Sequence, residues 1–201
     1  MSKITIPIEL ELSPRSRAVM NAIGRALDPR FVDLSDGTAE EQPPTSRFKF
    51  ELPAKPGTHM PNERAWYAGP LMTPTGELRH ILVPEAHLKT LQNMRWGKQD
   101  TEVEGCADMY DGLANTEAMA RAGNELAKRV QFLDEGLYLP SRAEALLMFS
   151  TLKSVIGEEA SWTSTQCSAG GAWCQDFNDG NQYVNDKCCE LRAVPVRRLF
   201  L

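Results

Sequence analysis

Ala172-Trp173-Cys174-Gln175-Asp176-Phe177-Asn178-Asp179-Gly180-Asn181-Gln182 alternates along its first half and then turns. Trp173, Gln175 and Phe177 fall on one side of an extended chain; Cys174, Asp176 and Asn178 fall on the other. Asn178-Asp179-Gly180 is a hairpin signal, because Asn, Asp and Gly tolerate the backbone angles of tight turns. Residues 181–185 then return as a second strand.

The flanks extend this β character over the last 40 residues. Trp162-Thr163-Ser164-Thr165 is rich in strand-forming residues, and Glu190-Leu191-Arg192-Ala193-Val194 opens a last strand that runs to Leu201. Helices precede them. Ser141-Arg142-Ala143-Glu144 reads as a capping box, with the helix continuing to about Val155. Thr116 to Val130 reads as one helix, after a polar loop at residues 108–115 and before an extended piece at residues 136–140. Residues 85–95 are weakly helical. Trp66–Gly69 and His80–Val83 flank Pro74-Thr75-Gly76 as a hairpin. Helical and strand segments occupy separate stretches, which predicts an α+β fold.

The N-terminal part differs. Residues 4–12 alternate as a strand with Pro7 at an edge, and Ser13-Pro14 opens a helix that Asp28-Pro29 ends. Residues 35–63 hold closely spaced prolines and glycines around a short strand at residues 47–52. The expected division is residues 1–60, a strand-helix element with a Pro-rich linker, and residues 61–201, a second domain. Residues 1–30 are too few to bury much alone and are a candidate for self-assembly.

The chain has 201 residues, 42% hydrophobic and 24% charged, with a net charge of −5. Such a composition suits a soluble globular protein rather than a disordered one. It lacks the basic excess of a dedicated nucleic-acid binder. No signal-peptide core and no apolar run near ~20 residues is visible, so synthesis in a cytoplasm and no membrane insertion are expected.

Four of five cysteines, Cys167, Cys174, Cys188 and Cys189, crowd the last 35 residues. They contain no Cys-x-x-Cys pair, and adjacent Cys188 and Cys189 in a strand would point to opposite faces, which argues against zinc. A Cys174–Cys188 disulfide across neighbouring strands is open in an oxidising medium, with unpaired thiols favoured. Residues 176–187 fail as a calcium loop, since position 12 is Lys187 rather than Glu. No nucleophile elbow or phosphate-binding loop is present. Neither a cofactor nor a metal site is expected. Trp66, Trp96, Trp162 and Trp173 are expected core anchors.

Several segments together carry a family resemblance: Tyr110-Asp111-Gly112-Leu113-Ala114-Asn115-Thr116; Leu137-Tyr138-Leu139-Pro140-Ser141-Arg142; Trp162 to Gln166; Ala172 to Phe177 with Gly180 and Gln182; and Lys187 with Glu190-Leu191-Arg192-Ala193 and Val196-Arg197-Arg198. They resemble a phage and prophage domain family related to the C-terminal domain of collagen-like bacterial adhesins. That family is similar to the C-type-lectin-like fold in its formylglycine-generating-enzyme-like form. The resemblance covers about two thirds of the chain. It implies a ligand-binding module at residues 61–201, displayed on a virion tail or bacterial cell surface, with a protein or glycan receptor. The cysteines do not map onto the reactive pair of the formylglycine enzymes, so that activity is not implied.

Some proteins of this fold are diversified by retroelements that mutagenise adenines. Randomising the adenines of an AAC codon yields Asn, Asp, Ser, Gly, Ala, Tyr or Cys among others, but never Trp, Gln, Lys, Glu or Met. Trp162, Gln166, Trp173, Gln175, Gln182, Lys187 and Glu190 are then scaffold. The residues able to vary, Cys167, Ala169, Cys174, Asp176, Asn178, Asn181, Tyr183, Asn185, Asp186 and Cys188, are the candidate ligand-binding set. The expected function is therefore non-enzymatic binding. A structural virion component, or a thiol enzyme using Cys174 or Cys188, is the alternative.

Overall fold

Strand-prone alternation and well-capped helices segregate in the structure as they do along the chain. The structure is a computed structural model that describes Leu52 and residues 55–199. Residues 53–200 form one compact unit. Its elements are β1 (Thr58–Met60), β2 (Ala65–Met72), β3 (Leu78–Pro84), β4 (Leu91–Arg95), α1 (Gly112–Arg121), α2 (Glu125–Leu133), α3 (Arg142–Ile156), β5 (Ser161–Gln166), β6 (Gly171–Gln175), β7 (Gln182–Asp186), β8 (Glu190–Ala193) and β9 (Arg197–Leu199). The fold is α+β. The expected strand at residues 4–12, the helix after it, the strand at residues 47–52 and self-assembly through residues 1–30 lie outside the described residues, apart from Leu52. A boundary at residue 60 would cut the unit, because β1 pairs with β2 from Thr58↔Tyr67 to Met60↔Ala65.

The strands form two sheets, one ordered β1-β2-β3-β9 and the other β4-β8-β5-β6-β7. Neighbours are antiparallel except β5 and β8, which run parallel. The expected last strand is two strands. β8 ends at Ala193, and Val194 and Val196 bury their side chains before β9 crosses to the other sheet and pairs with β3. An isolated bridge between Tyr138 and Val196 guides that crossing. Residues 85–95 are not helical beyond one 3-10 turn at Glu85–His87; Leu91–Arg95 is a strand held by β8.

Two apolar clusters fill the unit. One holds Trp96, Val103, Met119, Leu126, Val130, Leu139, Trp162 and Cys174, between the five-stranded sheet and α1 and α2. The other holds Ala68, Ile81, Met148, Leu152, Phe177 and Val196, between α3 and the four-stranded sheet. Burying each large apolar side chain contributes on the order of 1.5–3 kcal/mol.

The helices begin and stop for local reasons. Ser141 Oγ accepts from the Glu144 N–H, and Glu144 Oε2 accepts from the Ser141 N–H at 2.7 Å, so both halves of the capping box form. The expected helix at residues 116–130 is two helices. Asp111 caps α1, which starts four residues early, and Gly123 at φ +83° ends it. Asn124 then caps α2, accepting from the Ala127 N–H.

Candidate functional site

The candidate residues divide between the two ends of the β6–β7 hairpin. Asp176, Asn178 and Asn181 lie at its turn, beside α3. Cys167, Ala169, Asn185, Asp186 and Cys188 lie at the opposite end, where the β5–β6 and β7–β8 connections meet. Tyr183 lies between, paired with Cys174. The hairpin does not bring all ten onto one platform.

Cys167, Asn178, Asn181, Tyr183, Asp186 and Cys188 are exposed, and Ala169, Asp176 and Asn185 are half-buried. Cys174 is the correction. It is fully buried in the cluster beneath α1 and α2, and its Sγ donates to the Tyr183 carbonyl at 3.2 Å. Burial pushes its thiol up to about 11, which removes it as a thiolate nucleophile at neutral pH. Trp173, on the opposite face, is only half-buried, with the Arg142 guanidinium 3.5 Å from its ring centroid. The depths of Cys174 and Trp173 are thus the reverse of the expectation, whereas Gln175, on the Trp173 face, is fully buried. β6 is an inner strand covered on both sides, and a period of two cannot tell which covered face is deeper. Cys188 and Cys189 lie in a turn, not a strand, and all five cysteines are free thiols.

The turn at the α3 end is internally bonded. Asp176 Oδ1 accepts from the Asn178 N–H at 2.7 Å, and Asp179 accepts from both the backbone and the side-chain nitrogen of Asn181. Those bonds hold the Asp179 carboxyl below its ordinary range. The scaffold below is equally bonded. Gln182 Nε2 donates to the Arg142 carbonyl and to Gln175 Oε1, and Arg142 Nε returns a bond to Gln182 Oε1.

The other end is organised around Lys187, which is fully buried. Its Nζ donates to the Thr101 carbonyl at 2.7 Å and to Gln166 Oε1 at 2.6 Å, and it lies 4.7 Å from the Trp96 ring centroid. Burial lowers its pKa, while nearby Cys106 and Glu102 oppose that shift. Gln166 Oε1 also accepts from the Val103 N–H, and the Gly97 N–H donates to the Lys187 carbonyl. The Cys106 thiol, buried in the same cluster, is pushed up to about 11 by burial, against the pull of Lys187. Lys187 therefore pins the connection at residues 97–103 to the sheet.

Beyond that connection lies a cleft of about 450 Å3. Trp96, Gly97, Lys98, Thr101 and Val103 line one side, and residues 122–126 line the other. On its far side the same connection meets the β5–β6 turn, because a Cβ on Gly170 would touch Gln99 and Asp100. The cleft and the turn residues Cys167, Ala169 and Cys188, with Asp186 at the end of β7, thus share one wall of backbone. No direct signal for the cleft stands in the sequence, since Trp96 reads as core. Its trace is the Gly123-Asn124 break in an otherwise helical pattern.

Among the described residues no group of three or more His, Cys, Asp or Glu side chains is placed to hold a metal ion. No described helix is long and apolar enough to cross a membrane. The chain matches no protein-family model and no curated protein.

Proposed function

We propose that this chain is a non-enzymatic binding protein of C-type-lectin-like fold, displayed on a virion tail or bacterial cell surface and engaging a protein or glycan receptor. One observation carries the reading. Among the residues that adenine mutagenesis cannot create, Trp162, Gln166, Gln175 and Lys187 are buried and bonded into the scaffold. Of the ten candidate residues, all of types that it can create, only Cys174 is buried. Variation at the other nine leaves the packed interior intact, which suits a surface selected for changing ligands. Retroelement diversification of the gene is part of the proposal.

The binding surface is the end of the hairpin that shares its backbone wall with the cleft, formed by Cys167, Ala169, Asn185, Asp186 and Cys188. Contact made there acts on a pre-organised frame, so little ordering cost accompanies binding. The test is binding of labelled chain to whole bacteria and to arrays of their surface glycans. Asp186→Ala and Cys188→Ser are expected to weaken binding several-fold with an unchanged melting temperature, while Asn178→Ala at the distant turn leaves it intact. Equal binding by all three variants and the parent would overturn this placement. For the diversification, the flanking DNA should hold a near-identical template repeat and a reverse transcriptase; a locus with neither retires that part alone.

A further inference from the structure

The outer edge of the five-stranded sheet is β7, and it is built differently from the other strand edges. The Lys187 N–H donates to Gly170 and the Asn181 carbonyl accepts from Asp176, so odd-numbered residues of this strand turn their backbone groups toward β6. Gln182, Val184 and Asp186 therefore turn theirs outward. Asp186 is already engaged there, by Asn185 Oδ1 at its N–H and by the Cys189 N–H at its carbonyl. The outward backbone groups of Gln182 and Val184 have no partner among the described residues.

Natural edges are blunted by shortness, bulges, proline or cationic side chains. β1 and β9 have three residues each, and β9 carries Arg197 and Arg198. β4 has an irregular register between Leu91 and Met94, with Asn93 at φ +53°, and ends on Arg95. β7 has none of these devices ahead of its last residue, the charged Asp186. Its five residues, Gln182-Tyr183-Val184-Asn185-Asp186, pair with β6 without a register shift, and Tyr183 and Val184 are 39% and 42% exposed.

We propose that β7 pairs antiparallel with β7 of a second copy of this chain, about a two-fold axis at Val184, joining two five-stranded sheets into one. The register is self-complementary. Val184 meets the partner's Val184, exchanging two backbone hydrogen bonds at the axis. Tyr183 meets the partner's Asn185, setting a ring beside an amide. Gln182 meets the partner's Asp186, an uncharged side chain against a carboxylate. No like charges stand opposite each other, and that complementarity is what selects a second copy as the occupant. The pairing stands whether or not the neighbouring turns bind a receptor. If they do, it doubles the number of sites and strengthens weak contacts by avidity.

The test is sedimentation equilibrium of the full chain over a wide concentration range, expected to show a reversible monomer–dimer equilibrium. Val184→Pro removes the outward N–H but no bond to β6, so the fold is retained and dimerisation weakens by about tenfold or more. Val184→Lys sets two cations face to face at the axis and acts in the same direction, which covers the case of a proline variant that fails to fold. Val184→Thr keeps the N–H and the branched shape and dimerises like the parent. A chain that stays monomeric throughout overturns the proposal. So does unchanged association in both the proline and lysine variants, which would place self-association on another surface such as residues 1–30.

Discussion

Lys187 shows how a single side chain can hold a surface in place from below. It is a buried ammonium whose two hydrogen bonds go to the Thr101 carbonyl and Gln166 Oε1. Lys187→Met fills a similar volume but removes the bond to the Thr101 carbonyl and leaves Gln166 Oε1 with the Val103 N–H alone. The expected cost is about 2–3 kcal/mol in urea unfolding, with faster amide hydrogen exchange at Val103. Gly112 is a second such point. A Cβ there would run into Glu144 Oε2, the Leu139 carbonyl and the Ser141 nitrogen, so Gly112→Ala should destabilise by about 3 kcal/mol. Asp111 gives the pH dependence. Burial alone would raise its pKa, but the Ala114 N–H, Arg198 and Arg79 outweigh this and hold it below its ordinary value. A folded-state pKa below the unfolded one means stabilisation that is present above the unfolded value and lost as pH falls through the folded one. Asp111→Asn should therefore lower stability at neutral pH by about 2 kcal/mol. Its stability should also decline less steeply than the parent's as pH falls below about 4.

At the scale of elements, the capping box makes a simple test. Ser141→Ala removes the cap at the start of α3 and is expected to cost about 1 kcal/mol. Elements with local signals were legible in the sequence: this box, the hairpin about Asn178-Asp179-Gly180, and the β2–β3 hairpin all stand where alternation and turn residues put them. What was not legible depends on contacts distant along the chain. β4 exists because β8 pairs with it, and Trp162 Nε1 donating to the Met94 carbonyl ties it across to β5. The break between α1 and α2 has a local cause in Gly123, but the length of the apolar pattern on either side hides it. The site was legible in part for the same reason. Exposed residues such as Asn178 in the turn and Asp186 at the end of β7 announce themselves by type. The depth of Cys174 against Trp173 depends on which layer covers which face, and alternation carries no information about that.

For the unit as a whole, residues 53–200 should fold without the residues before them. A chain begun at Pro53 is expected to keep the near-ultraviolet circular dichroism that Trp96 and Trp162, both fully buried, impose on the full chain. Loss of that signal would make the preceding residues part of the folding unit. The four-stranded sheet adds a constraint of timing. β9 is its last strand, and Arg197 on β9 bonds both the carbonyl and the carboxylate of Glu63, 134 residues away. On a ribosome the first three strands emerge long before the fourth, and Ile81 and Leu82 of β3 must wait with one edge open until β9 has emerged. Completion of the sheet thus waits on synthesis through Leu199. A stop codon at Arg197, Arg198 or Leu199 would leave the closing strand missing or incomplete, and the product a substrate for quality-control proteases.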